Sequence, residues 1–219
     1  IPIIYSSVNK TVKSDNRDTP VRIYTPIKGK GNNFPIILLI HGGAWVAGNL
    51  DTHDNLARYL CSQVEAVIVS VEYVNAPEGK FPLQLQQCYD VLTWIIDHAS
   101  EFLCDSSKLA VVGDSSGGNM AAALCLMVRD QHGPKIDLQV LINPALDLRC
   151  NGIIEKQNDE LVTLRWQAAQ YLLNPNDINN PYVSPLVAND LSNLPEAVVL
   201  LAENDDLREA GEKYAQRLK

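Results

Sequence analysis

The segment Gly113-Asp114-Ser115-Ser116-Gly117 follows the apolar run Leu109-Ala110-Val111-Val112 and precedes an apolar helical pattern from Met120 to Val128. That order predicts a strand, a sharp turn and a helix, with Ser115 at the tip of the turn. Gly113 and Gly117 let the two elements approach closely, and such a turn holds the serine strained with its hydroxyl clear of both. A hydroxyl presented in this way is suited to nucleophilic attack on an acyl carbonyl. Asp114, inside the turn, reads as a local hydrogen-bonding group and not as a general base. A second segment offers the complementary chemistry. Pro35-Ile36-Ile37-Leu38-Leu39-Ile40 reads as a buried strand and runs into His41-Gly42-Gly43-Ala44-Trp45. Attack on an acyl carbonyl creates an oxyanion, and losing one backbone N–H aimed at that oxygen costs about 3–4 kcal/mol. Gly42, Gly43 and Ala44, together with Ser116 directly after the nucleophile, are the candidate oxyanion hole. Within it Gly43, Ala44 and Ser116 supply the N–H groups and Gly42 shapes the loop. Either segment alone also fits an ordinary glycine-rich turn; both together, in this order on strand ends, point to acyl transfer.

These residues need a scaffold that brings strand ends together. The pattern predicts strands at Val21–Thr25, Ile36–Ile40, Ala66–Glu72, Leu109–Val112, Leu138–Ile142 and Ala197–Ala202. Helices are predicted at His53–Gln63, Gln84–His98, Gly118–Arg129, Leu161–Leu172 and Leu207–Leu218. Strands separated by helical patterns imply an α/β fold, a mostly parallel sheet with helices on both faces. Functional groups then gather at the carboxyl ends of the strands. Gly43, Ser115 and Asp205 each fall just after a predicted strand, so one cleft can hold all three. The stretch from Leu148 to Asn193 exceeds an ordinary connection and carries its own helix. The Lys28–Asn33 stretch reads as a hairpin loop. At 219 residues the chain is expected to form a single domain with one sizeable core.

The sequence resembles the hormone-sensitive-lipase-like family of serine esterases, and within it the bacterial acetyl esterases. The matching blocks are HGGAWVAGNLDTHD (His41 to Asp54), EYVNAPEGKFP (Glu72 to Pro82), GDSSGG (Gly113 to Gly118), NPYVSPLVANDLSNLP (Asn180 to Pro195) and AENDDLREAGEKYAQRL (Ala202 to Leu218). They fall in the family's order and run from about Val21 to the last residue. Ala44 and Ser116 stand where the family more often has Gly and Ala, Val74-Asn75 where it has Arg-Leu, and Asp206 where it has proline. None of these departures removes a reacting group.

The resemblance implies an α/β-hydrolase fold with a cap insertion at about 148–193. In that cap Leu161, Leu164, Trp166, Ala169, Leu172 and Leu173 would pack together or line an acyl pocket. It implies Ser115 as nucleophile and Asp205 as the acid of a Ser–acid–His triad. The reaction would be two-step hydrolysis of a small-molecule ester, with short acyl groups favoured and no metal or organic cofactor. A homodimer is left open. Asp206 is the neighbouring alternative acid, and Asp147, just beyond the strand Leu138–Ile142, is another. All three also fit helix N-capping. The block around Glu72 and Tyr73 reads as bracing for the sheet end.

A triad also needs an imidazole, which in this order follows the acid. The four histidines, His41, His53, His98 and His132, all precede Asp205, and none occurs after it. Each reads more readily as structural or exposed: His41 bracing the oxyanion loop, His53 at a helix start, His98 near a helix end, His132 in a turn. The expectation is therefore that these residues form a truncated piece of a longer enzyme, with the triad histidine beyond Lys219 and an N-terminal cap segment before Ile1.

Net charge −8 and a pI near 4.9 argue against nucleic acid or an anionic membrane surface as partner. The apolar runs are too short to span a bilayer. The cysteines, Cys61, Cys88, Cys104, Cys125 and Cys150, are odd in number and scattered, which suits buried thiols in a reducing cytoplasm better than disulfides or zinc. Two further readings keep the same pocket: a non-catalytic binding member of the fold, and hydrolysis of an amide or lactone.

Overall fold

The computed structural model describes residues 2–15, 17–27, 33–149 and 159–219, with side chains in the last segment from residue 165 onward. Seven strands form one sheet: β1 (Ser6–Val12), β2 (Thr19–Thr25), β3 (Phe34–Ile40), β4 (Val67–Val71), β5 (Cys104–Asp114), β6 (Leu138–Ile142) and β7 (Glu196–Leu200). Their order is β1-β2-β4-β3-β5-β6-β7. The β1–β2 and β2–β4 pairs are antiparallel, and β4-β3-β5-β6-β7 is a continuous parallel block. The helices are α1 (Asp54–Val64), α2 (Leu83–Asp97), α3 (Ser116–Asp130), α4 (Asp159–Tyr171) and α5 (Arg208–Arg217).

The alternation of β3 explains the layering. Ile36, Leu38 and Ile40 enter the larger core beneath α2 and α3, while Ile37 and Leu39 enter the smaller one, with Ala57 and Cys61 of α1. A strand buried on both faces is expected to be nearly continuous in apolar residues, and β3 and β4 are, with Ser70 of β4 the buried polar exception. Helix α3 is buried continuously from Ser116 to Val128, so it has no polar face to turn to solvent. This fixes the start of α3 against the ends of β3 and β5, where the chemistry is expected.

The strand β1 was not anticipated from the sequence. Five of its seven residues are exposed, so it carries no apolar pattern; hydrogen bonding to β2 makes it a strand. Residues 28–32 of the expected hairpin loop and Cys150 lie outside the described residues; Cys61, Cys88, Cys104 and Cys125 are buried free thiols. Among the described residues no helix is long and apolar enough to cross a membrane.

Candidate active site

The turn after β5 is the sharp elbow expected. Ser115 has φ 52° and ψ −116°, and α3 begins at the next residue. Such a backbone conformation costs on the order of 1–3 kcal/mol and persists only where its surroundings dictate it. Here the Ser115 N–H donates to the Ile142 carbonyl at 2.8 Å, and the Ser115 carbonyl accepts from the Asn119 and Ala145 N–H groups at 3.0 and 3.2 Å. A Cβ on Gly117 would sit 2.1 Å from the Ile40 carbonyl oxygen, so only glycine lets α3 start this close to β3. The Ser115 hydroxyl has no hydrogen-bond partner among the described residues, and the residue is partly exposed. The Ser116 N–H, first in the helix, is likewise unengaged, as helix starts leave it.

The candidate oxyanion loop leaves β3 through three consecutive positive φ values: 128° at Gly43, 54° at Ala44 and 62° at Trp45. The Gly42 N–H donates to Asp114 Oδ1 at 3.0 Å. Gly42 therefore anchors the loop to the elbow and has no N–H to offer an oxyanion, which fits a shaping role. The Gly43 and Ala44 N–H groups have no partner among the described residues. Because Gly42 is tied to Asp114, the residue before Ser115, the turn carrying those two donors is held against the elbow.

His41 braces the loop from below. Its Nδ1 donates to the Gly42 carbonyl at 2.9 Å, its ring stacks on Tyr73 at 4.1 Å, and the Tyr73 hydroxyl donates to the His41 carbonyl at 2.9 Å. Burial pushes the His41 imidazole down to about 4, so it is neutral near pH 7. His53 Nε2 donates to Asp114 Oδ1 at 3.0 Å. Burial opposes ionisation of Asp114, but the hydrogen bonds from His53 and the Gly42 N–H outweigh it and hold the carboxyl below the usual carboxylate range. Glu72 accepts from the Leu50 N–H at 2.9 Å and so braces the loop's far end, as expected of that block.

The candidate acid follows β7, two strands from β5 and hence about 10 Å across the sheet. Asn143 ties the two strand ends together: its N–H donates to the Leu200 carbonyl at 2.8 Å and its Oδ1 accepts from the Ala202 N–H at 2.7 Å. Asp205 Oδ1 accepts from the Leu207 N–H at 2.8 Å, while Oδ2 has no partner among the described residues. Asp206 is unengaged in the same sense. Asp147 is occupied, its two oxygens each held at 2.8 Å by the Arg149 guanidinium. Of the three acids, Asp147 is thus committed to a local ion pair.

None of the four histidines pairs with Ser115 or Asp205. His41 and His53 serve the oxyanion loop. His98 donates to the Trp94 carbonyl at 2.8 Å at the end of α2. His132 lies past the far end of α3, roughly 24 Å from Ser115 at the rise of a helix.

In the expected cap, Ala168, Tyr171 and Leu172 are buried, Trp166 and Leu173 are largely exposed, and the side chains of Leu161 and Leu164 lie outside the described residues. A cavity of about 420 Å³ opens between Leu148, Ala168, Ala169, Leu172 and Ile178. Two contacts were not readable from the sequence. One is the His53–Asp114 pair, 61 residues apart in the chain. The other is Asn119, whose amide donates to the Ala145 and Val183 carbonyls at 2.7 and 2.8 Å and so ties α3 to the chain on both sides of α4. No local pattern announces either.

Comparison with known proteins agrees with this geometry. Residues 37–219 match the family model for the alpha/beta hydrolase fold. The chain is 38% identical over 213 residues to an arylesterase of Saccharolobus solfataricus, covering 94% of this chain and 69% of that protein. It is 37% identical to the carboxylic ester hydrolase LipN of Mycobacterium tuberculosis, over 92% of this chain and 56% of that one. An ethyl acetate hydrolase of Pseudomonas putida is 34% identical, over 99% and 70%. The chain therefore spans between about half and 70% of the length of these relatives. Among solved structures, a hyperthermophilic esterase from the archaeon Pyrobaculum calidifontis superposes with a TM-score of 0.91 at 38% identity, over 99% of this chain and 71% of that one. The sheet order, the elbow at Ser115, the loop at Gly42–Ala44 and these similarities place the chain in the α/β-hydrolase family, in its hormone-sensitive-lipase-like group of carboxylic ester hydrolases.

Proposed function

We propose that the protein hydrolyses short-chain carboxylic esters through an acyl-enzyme on Ser115. The observation that carries this reading is the unengaged Ser115 hydroxyl at a strained elbow, beside three unpartnered backbone N–H groups. Ser115 Oγ attacks the acyl carbonyl and gives its proton to an imidazole. The N–H groups of Gly43, Ala44 and Ser116 hold the resulting oxyanion. The protonated imidazole then protonates the leaving alkoxide, and water cleaves the acyl-enzyme by the same route in reverse. Asp205, with an oxygen to spare, orients that imidazole. None of the four histidines of this sequence meets Ser115 or Asp205, so the reading requires an imidazole supplied to Ser115 from elsewhere. Short acyl groups are supported by the resemblance to acetyl esterases and by the ethyl acetate hydrolase among the relatives.

The test uses the complete protein, nitrophenyl esters of graded acyl length and a fluorophosphonate probe. kcat/KM should peak between acetyl and butyryl and decline gradually, because each methylene in an apolar pocket is worth only about 1–3 kcal/mol. The probe should label Ser115 alone. Ser115→Ala should lose both turnover and labelling while melting near the wild-type temperature. Retained turnover in that variant would overturn the assignment, and a rate that climbs to long-chain esters would overturn the acyl preference.

A further inference from the structure

The oxyanion loop holds two adjacent non-glycine residues, Ala44 and Trp45, at φ 54° and 62°. The loop's own hydrogen bonds, from the Val46 and Ala47 N–H groups to the Gly43 carbonyl, close the turn but leave the Ala44 N–H free. What fixes the loop at its far side is Trp45. Its carbonyl accepts from the Ala76 N–H at 2.7 Å and from Gln84 Nε2 at 3.3 Å. Its indole is 1% exposed and stacks on the ring of Tyr171 at 4.7 Å, with the planes 14° apart.

Tyr171 is the last residue of α4, within the insertion between β6 and β7. That helix end is itself pinned. The Tyr171 carbonyl accepts from the Phe81 N–H at 2.9 Å, the Phe81 ring meets Tyr171 edge-on at 5.9 Å, and the Lys80 ammonium donates to the Gln170 and Leu172 carbonyls. A cation there also suits the negative end of the helix dipole. The Tyr171 hydroxyl, fully buried, has no partner among the described residues. The ring, not the hydroxyl, makes the contact.

From this arrangement we infer that Tyr171 is a positioning residue for the oxyanion hole: through its stack on Trp45, the cap helix sets where the Ala44 N–H points. The inference rests on the proposed ester hydrolysis and adds to it a mechanical link between the cap and the reacting centre. An oxyanion donor acts on the transition state and hardly on the bound ester, so a displaced donor lowers kcat and leaves KM nearly unchanged.

The experiment compares Tyr171→Phe, Tyr171→Leu and Trp45→Leu in the complete protein, with active sites counted by fluorophosphonate titration so that rates refer to folded, competent enzyme. Tyr171→Phe keeps the ring and should match wild type in kcat within about twofold. Tyr171→Leu should lower kcat per titrated site by roughly 10-fold or more, short of the 10²–10³ for outright loss of a donor, with KM within about threefold. Trp45→Leu should do the same, and the double variant should be no worse than the worse single one, because both break one link. If Tyr171→Leu instead lowers the titrated fraction or the melting temperature while kcat per site stays at the wild-type value, the contact is only structural and the inference falls. Additive effects in the double variant would also overturn it. A wild-type protein without esterase turnover would defeat the proposed function and this inference together, so the two failures are told apart by the wild-type rate alone.

Discussion

At the scale of single residues, the Gly42–Ala44 loop is held by side chains packed behind it. His41 is fully buried, and burial pushes its imidazole down to about 4, against an ordinary value near 6.5. Above pH 6.5 it is neutral in both the folded and unfolded chain and stability does not respond. As pH falls from 6.5 toward 4, the unfolded chain takes up a proton that the folded one refuses, so stability is lost, by about 2 kcal/mol at pH 5 from this group alone. Melting temperatures measured between pH 7 and 5 should therefore drop, and His41→Gln should drop less over the same interval. An equal slope in the variant would locate the acid sensitivity elsewhere. Asp114 offers a second check. Asp114→Asn keeps an oxygen for the Gly42 N–H and His53, and should retain most of the activity. Asp114→Leu leaves a buried N–H unpaired, at a cost of about 1–3 kcal/mol, and lets Gly43 and Ala44 drift. Its kcat should fall about 10-fold. Equal activity in the two variants would show that the loop does not need this anchor.

At the scale of elements, legibility followed burial. Strands β3 and β4 are buried on both faces, so a short run of Ile, Leu and Val, broken by Ser70 alone in β4, marks them within two residues, and the apolar pattern of β6 matches its observed bounds. The polar start of β5, Asp105 to Lys108, carries no apolar pattern, because between Cys104 and Leu109 no side chain enters the core. Strand β1 was missed for the same reason: an exposed edge strand leaves no pattern in composition. The site followed a different rule. The turn at Ser115 and the positive-φ turn at Gly43–Trp45 are legible because each carries glycine at fixed offsets within a few residues. The anchor from Gly42 to Asp114 and the stack of Trp45 on Tyr171 were not, since contacts across 72 and 126 positions of chain depend on packing alone. One element-level test follows from the elbow. Gly117→Ala would force a methyl to 2.1 Å from the Ile40 carbonyl oxygen, which is backbone and cannot step aside. The start of α3 must then retreat from β3, costing about 3 kcal/mol or more. A large fall in melting temperature is expected, and a variant as stable as wild type would contradict the close approach of α3 to β3.

At the largest scale, the sheet is covered unevenly by the described residues. Helices α2, α3 and α5 pack on one face, and α1 covers the other over β2, β4 and β3. Beyond α1, parallel register places Val140 beside Val198 and Ile142 beside Leu200 on that second face. Val140 and Ile142 are only partly covered there, and Val198 and Leu200 are 43% and 50% exposed. On its outer side β7 has no strand partner among the described residues, and in a polypeptide of residues 1–219 alone its N–H and C=O groups are open to pairing. An apolar strip next to an unpaired strand edge is a site of association. Net charge −8 works against it by mutual repulsion, and at about 0.15 M salt that repulsion is screened beyond roughly 8 Å. A polypeptide of residues 1–219 alone should therefore bind a hydrophobic dye and self-associate in sedimentation velocity, more strongly at higher salt. Placing charge on the strip, with Val198→Lys and Leu200→Lys together, should return it to a monomer and reduce dye binding, without unfolding β7, because both side chains already face solvent. A 1–219 polypeptide that stays monomeric and dye-silent across the salt series would show that this face is not apolar enough to act. Association that persists in the double variant would move the contact to another surface, with the exposed β1 edge around Val8 as the next one to charge.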